Sequence, residues 1–183
     1  ATKGRVVLII DALNLLEDRD GAQDLLWLPA EVPANVRMIL STLTGKPLDE
    51  LAKRGWPTLS IQPLEPEERK QLIEQYAWQY RKTFAPIHLE RIAMADKTGN
   101  PLYLRTLLEE IRISGISSRL TEKIDHYLVS DSLESLYEKI LERYEQVFES
   151  HRPELVRETM SLIWATQEGL TEMELLQLLG SDG

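Results

Sequence analysis

Up to about residue 62 the apolar residues come in short unbroken runs, and after Pro63 they recur at spacings of three and four. Unbroken runs mark parallel strands buried on both faces, whereas the wider spacing marks one face of a helix. Three runs predict strands: residues 6–11, 36–42 and 58–62. Leu25, Leu26 and Leu28 predict a short helix over 20–28 before Pro29, and residues 48–54 predict another that Gly55 ends. A β-α-β-α-β order implies a parallel sheet with right-handed crossovers.

Beyond Pro63 no segment reads as a strand. Pro66 sits at a first helical turn, with Leu72, Ile73, Tyr76, Ala77 and Tyr80 along one face. Pro86 and Pro101 open two more helices, and Gly99 and Gly115 lie where helices stop. Leu133, Leu136, Tyr137, Ile140, Leu141, Tyr144 and Phe148 predict a long amphipathic helix capped by Asp131 or Ser132. A further helix is expected over 153–166, and Thr171 with Glu174 forms a capping box for the last. The expected class is therefore α/β, a partial parallel sheet of three strands followed by an all-α region. No solenoid repeat or low-complexity segment interrupts it.

At 183 residues the chain suffices for one domain or two small ones. Its net charge of −9 is uneven: residues 116–183 carry fourteen acidic against six basic side chains. That excess argues against nucleic acid as a partner, since attraction to a phosphate backbone is mainly electrostatic. It weighs likewise against a DNA-reading helix-turn-helix in the terminal helices, where Leu162, Ile163, Leu170, Leu175, Leu176 and Leu179 suit packing within the chain. Cysteine is absent, which excludes disulfides and thiolate metal sites, and His88, His126 and His151 are too scattered for zinc. No apolar run reaches the roughly 20 residues of a membrane helix. The expectation is a soluble, cytoplasmic chain without a membrane partner.

The run Val6-Val7-Leu8-Ile9-Ile10-Asp11 delivers a carboxylate to the tip of a strand, where ligands of open α/β folds bind. Asp11 there either helps hold Mg²⁺ with a nucleotide phosphate or caps the next turn. No Gly-x-x-x-x-Gly-Lys-Ser/Thr loop is present: Gly45-Lys46 is followed by Pro47 and preceded by Leu40 where the first glycine is needed, so the dipeptide reads as a turn. Asn14, the nearest polar residue that could orient water, cannot act as a base. Glu17 and Asp18 read as solvated turn residues. Ser41 or Thr42 either senses a γ-phosphate or caps a turn. Gly99-Asn100-Pro101 is a helix stop followed by a helix start. Trp27, Trp56, Trp78 and Trp164 read as packing residues rather than a stacking box for a base.

The segments VVLIIDALNLLED, LLWLPAEVPANVRMILST, GWPTLSIQPLEPEE and GNPLYLRTLLEEIRISG, in this order, resemble the later half of a STAND ATPase domain of the NACHT type. The likeness is to nephrocystin-like tetratricopeptide proteins and the telomerase-associated (vault) protein in particular. SLESLYEKILERYEQVF and the Thr171 helix resemble the entry into that family's winged-helix domain. The resemblance implies residues 1–62 as the C-terminal part of a P-loop ATPase core, 63–115 as a helical lid with a GxP motif, and 116–183 as a linking helix and the beginning of a winged helix. It implies Mg²⁺ and ATP or ADP as cofactors, with Asp11 the Walker B carboxylate reaching the metal through water. Ser41 or Thr42 matches the sensor, and Gly99 and Pro101 match the motif packing near adenine. The partners implied are an upstream half bearing the phosphate loop, and protein partners or further copies of the chain. The family often has acidic residues where Asn14 and Leu15 stand, so slow or lost hydrolysis is expected. The alternative is a non-enzymatic helical adaptor that binds a protein.

Overall fold

The computed structural model describes residues 4–113 and 119–180. They form a mostly helical chain with one small parallel sheet, in two compact units that divide between Ile61 and Gln62.

In the first unit β1 (Val6–Ile10) and β2 (Val36–Leu40) pair in parallel, Val6 opposite Val36 and Ile10 opposite Leu40. The connection between them is no α-helix. It contains two short 3-10 turns, Leu13–Leu15 and Ala22–Asp24, instead of the helix expected over 20–28. Asp20, Gly21 and Leu25 all have positive φ, and left-handed residues on both sides of Ala22–Asp24 prevent a right-handed helix from propagating. Leu13, Leu25 and Leu28 make the core, with Ile10, Met38, Leu40, Leu51 and Trp56 packed against it. The Arg54 guanidinium gathers the loose connection, donating to the carbonyls of Leu25 and Pro29 at 2.8 Å and of Leu28 at 3.1 Å, and lies over the Trp56 ring. Helix α1 (Lys46–Ala52) starts two residues earlier than expected because Pro47 fits its first turn, and Gly55 with φ +64° follows its end.

Two further expectations fail in this unit. The β1 run is not buried: Val7 is 56% and Ile9 72% exposed. Its composition suits a strand covered on both faces, but a two-stranded sheet in this unit supplies no such cover. Residues 58–62 join no ladder, and Leu59 and Ile61 are exposed, so the sheet among the described residues has two strands and not three. A parallel strand requires a neighbour in register, and apolar content alone provides none.

The second unit contains α2 (Pro66–Gln79), α3 (Pro86–Ala93), α4 (Pro101–Ile113), α5 (Leu120–Leu128), α6 (Leu133–Phe148), α7 (Leu155–Ala165) and α8 (Glu172–Leu178). Proline opens α2, α3 and α4 as its fixed φ favours, and Ser132 rather than Asp131 caps α6. The Thr171–Glu174 capping box forms. Ile73, Ile92, Tyr103, Leu107, Ile111, Ile124, Leu136 and Ile140 belong to one core shared by α2 to α6. The proposed stop at Gly115 lies outside the described residues. Of the tryptophans only Trp56 packs against a core; Trp27, Trp78 and Trp164 are exposed, contrary to expectation. Ile163 and Leu176 are exposed too, so α7 and α8 bury less of their apolar faces than their pattern suggests.

One ionic cluster ties three of these helices. Glu110 of α4 is 3% exposed and accepts from both Nε and Nη2 of Arg143 on α6, at 2.8 and 3.1 Å, and from the Tyr127 hydroxyl on α5 at 3.2 Å. Beside it the Tyr103 hydroxyl donates to the carbonyls of Tyr127 and Ser130. Removing one member of a buried pair leaves an uncompensated charge. Arg143→Met is therefore expected to lower stability in urea unfolding by about 3 kcal/mol, whereas removing both charges with Glu110→Met and Arg143→Met costs much less. Burial, and then the charge of Asp131 for Tyr103 and Glu110 for Tyr127, pushes both phenols up to about 12. An unfolded tyrosine loses its proton near 10. Between these values the unfolded chain binds fewer protons than the folded one, so stability present below about pH 10 is lost as pH rises toward 12. Unfolding midpoints measured across that range should fall, and less steeply in Tyr103→Phe.

Candidate functional site

Because β1 and β2 are parallel and in register, the residues following both strands emerge at one edge of the sheet. Asp11 follows β1, and Ser41 and Thr42 follow β2. Ligands of open α/β sheets sit outside this carboxyl edge.

Ser41 joins the two loops. Its hydroxyl donates to Asp11 Oδ1 and accepts the Ala12 amide at 2.8 Å. Its carbonyl accepts the Leu13 amide at 2.9 Å, and its amide donates to the Ile10 carbonyl at 3.1 Å. Ala12 adopts the left-handed conformation, φ 56° and ψ 49°, a choice that costs a residue with a Cβ about 1–2 kcal/mol. The bonds that the Ala12 and Leu13 amides make to Ser41 offset that cost.

Thr42 turns to its own loop, its hydroxyl donating to the Leu43 carbonyl at 3.1 Å. Of the two sensor candidates it is Ser41 that the fold brings to Asp11. Asn14 Oδ1 accepts the Leu43 amide at 3.1 Å and so braces the same pair of loops. Lys46 is likewise engaged: its ammonium lies 2.8 Å from Asp24 and 3.5 Å from Asp18, and the Asp24 hydrogen bond holds it above its ordinary value.

The Asp11 carboxylate is exposed, with one oxygen steadied by a hydroxyl. Among the described residues no cluster of three or more His, Asp or Glu could enclose a metal ion. Such a lone carboxylate suits a cation that keeps its waters, as Mg²⁺ does, and not a closed protein cage.

In the helical unit Gly99 is buried while Asn100 and Pro101 are exposed. Asn100 Oδ1 accepts the amides of Leu102 at 2.9 Å and Tyr103 at 3.2 Å, which caps α4, and Pro101 is that helix's first residue. The Gly99 carbonyl accepts the Leu64 amide at 2.8 Å. Beneath this loop lies Arg69, 9% exposed, a residue that the sequence reading passes over. A signal for it exists: Arg69 precedes Ile73 and Tyr76 by four and seven positions, a charge on an apolar stripe. Glu110, three and seven positions after Leu107 and Tyr103, carries the same signal.

The chain is 37% identical over 176 residues to a TPR repeat-containing protein of Dictyostelium discoideum, covering 96% of this chain and 10% of that protein. It is 27% identical over 186 residues to nephrocystin-3 of Xenopus laevis, covering 96% and 14%. Against NACHT domain- and WD repeat-containing protein 1 of Homo sapiens the identity is 28% over 186 residues, covering 97% and 11%. The chain is related to a segment of such NACHT- and TPR-named proteins. It spans about a tenth of the length of these curated relatives. No protein-family model matches it, and no solved structure matches. No helix among the described residues is long and apolar enough to cross a membrane.

The junction of the two loops has a direct check. Ser41→Ala removes a donor from Asp11 and an acceptor from Ala12 at an exposed site, a loss of about 1 kcal/mol. Amide exchange at Ala12 should quicken in Ser41→Ala and stay unchanged in Thr42→Ala.

Proposed function

We propose that this chain is part of a NACHT-type signalling ATPase and contributes Mg-ATP and Mg-ADP binding residues to a nucleotide-controlled conformational switch. The observation that carries the reading is the Asp11–Ser41 hydrogen bond at the carboxyl edge of a parallel strand pair. In this reading Asp11 is the Walker B carboxylate, which orients water around Mg²⁺, and Ser41 is the sensor, whose hydroxyl proton turns from Asp11 to the phosphate. Asn14 holds the loop and moves no proton. Pro101 packs near adenine, and the buried Gly99 holds the loop from which it projects.

The phosphate loop belongs to an upstream half of the same domain, whose strands and helices would also cover the exposed Val7 and Ile9. Residues 63–115 then act as the lid, and α6, α7 and α8 lead into a winged helix. The names of the nephrocystin and NACHT relatives support this assignment. Protein partners or self-association in the cytoplasm complete the reading, with no role for nucleic acid.

A second reading, a helical adaptor without nucleotide, is favoured by the relative named for TPR repeats and by the exposed Trp164, Met173 and Leu176 on α7 and α8. Native mass analysis and ADP titration of the full-length protein, with and without Mg²⁺, separate the two. On the first reading Asp11→Asn weakens Mg²⁺-dependent binding by roughly 10–100-fold, the usual cost of losing an outer-sphere partner of a metal. Unchanged affinity in that variant removes Asp11 from the site, and a wild-type protein that binds no nucleotide selects the adaptor.

A further inference from the structure

We propose that Arg69 is the positioning residue of the Gly99-Asn100-Pro101 loop and fixes it for the base of a bound nucleotide, an inference that rests on the nucleotide reading above. Arg69 is the fourth residue of α2, and its guanidinium is buried among main-chain carbonyls. Nε donates to Leu64 at 2.7 Å, and Nη1 donates to Ala93 at 2.9 Å and Ala95 at 3.0 Å. Ala93 is the last residue of α3 and Ala95 lies two residues beyond it. The end of a helix offers unpaired carbonyls and the negative end of its dipole, which suits a cation without a carboxylate partner.

The third nitrogen of the fork determines what residue 99 can be. Nη2 lies 2.9 Å from where a Cβ at position 99 would stand, and Pro63 Cβ lies at 3.2 Å from the same point. An alanine there must push the guanidinium away, and a guanidinium held through Nε and Nη1 moves only by stretching those bonds. Glycine is thus favoured by a close neighbour rather than by its own φ. The contact closes a circuit, because Leu64 accepts from Arg69 through its carbonyl and donates to Gly99 through its amide. Thr98 adds to it, its hydroxyl donating to Ile92 and Ala95 at 2.7 Å.

Arg69, Thr98 and Gly99 are therefore buried and bonded, while Asn100 and Pro101 stand exposed. An exposed tip on a locked mount is what recognition of a flat apolar ring needs, since the tip gives up little freedom on binding. Lysine cannot replace Arg69, because an ammonium lacks the planar fork that reaches Leu64, Ala93 and Ala95 together.

The test uses the full-length protein, with mant-ADP and mant-GDP titrations beside thermal unfolding, for Gly99→Ala, Arg69→Lys and the double variant. Gly99→Ala is expected to weaken mant-ADP by roughly tenfold, within the span found for coupled neighbours, and to narrow the preference for adenine over guanine. A merely structural role would leave that preference unchanged. The double variant should bind no worse than Arg69→Lys alone, since the shortened side chain makes room for the new methyl. Additive losses, or an unchanged base preference in Gly99→Ala, overturn the proposal. If the wild-type protein binds neither nucleotide the switch reading fails, and with it the base-positioning role. The unfolding cycle then still reports whether Arg69 and Gly99 are coupled.

Discussion

Parallel strands have no tight turn to join them, so a pair of them depends on what their ends exchange. In this chain that exchange is made by Ser41, which takes the Ala12 and Leu13 amides and gives its hydroxyl to Asp11. Those bonds offset the cost of the left-handed Ala12. The feature that closes the sheet edge is thus also the one that steadies the exposed Asp11, so a change that disturbs the edge also disturbs Asp11.

The helical unit solves a different problem, the placement of charge inside a core. Arg69 is surrounded by carbonyl dipoles, whereas Glu110 meets a guanidinium and a phenol. Both arrangements fix geometry more than they add stability, since a buried ion pair seldom outperforms well-packed apolar side chains. Each therefore sits where position matters: one beneath the Gly99 loop, the other where α4, α5 and α6 meet.

The helices were the most legible part of the sequence, because Pro66, Pro86 and Pro101 mark their starts by constraints internal to proline. The carboxyl-edge placement of Asp11 and Ser41 followed from the apolar runs before them. Burial did not follow: an unbroken apolar run such as Val6 to Ile10 is the composition of a strand covered on both faces, yet in this unit it stands exposed. The β1–β2 connection was illegible for a local reason, since Leu25 takes a positive φ that nothing in its identity announces. Arg69 and Glu110 escaped because a charged residue on a helix is ordinarily assigned to the wet face, and only its place in the apolar stripe says otherwise.

The corner between α5 and α6 has a mechanical consequence. A single phenol from α4, Tyr103, closes the last turn of α5 through Tyr127 and Ser130, and Arg143 ties α6 back to α4. Elbows bend where hydrogen bonds are few, and this one is crossed by several from the same helix. Motion imposed on α4 is thus inherited by α6, whose sixteen residues make an arm of about 24 Å. A small rotation at the root of α4 sweeps the far end of that arm through a much larger arc.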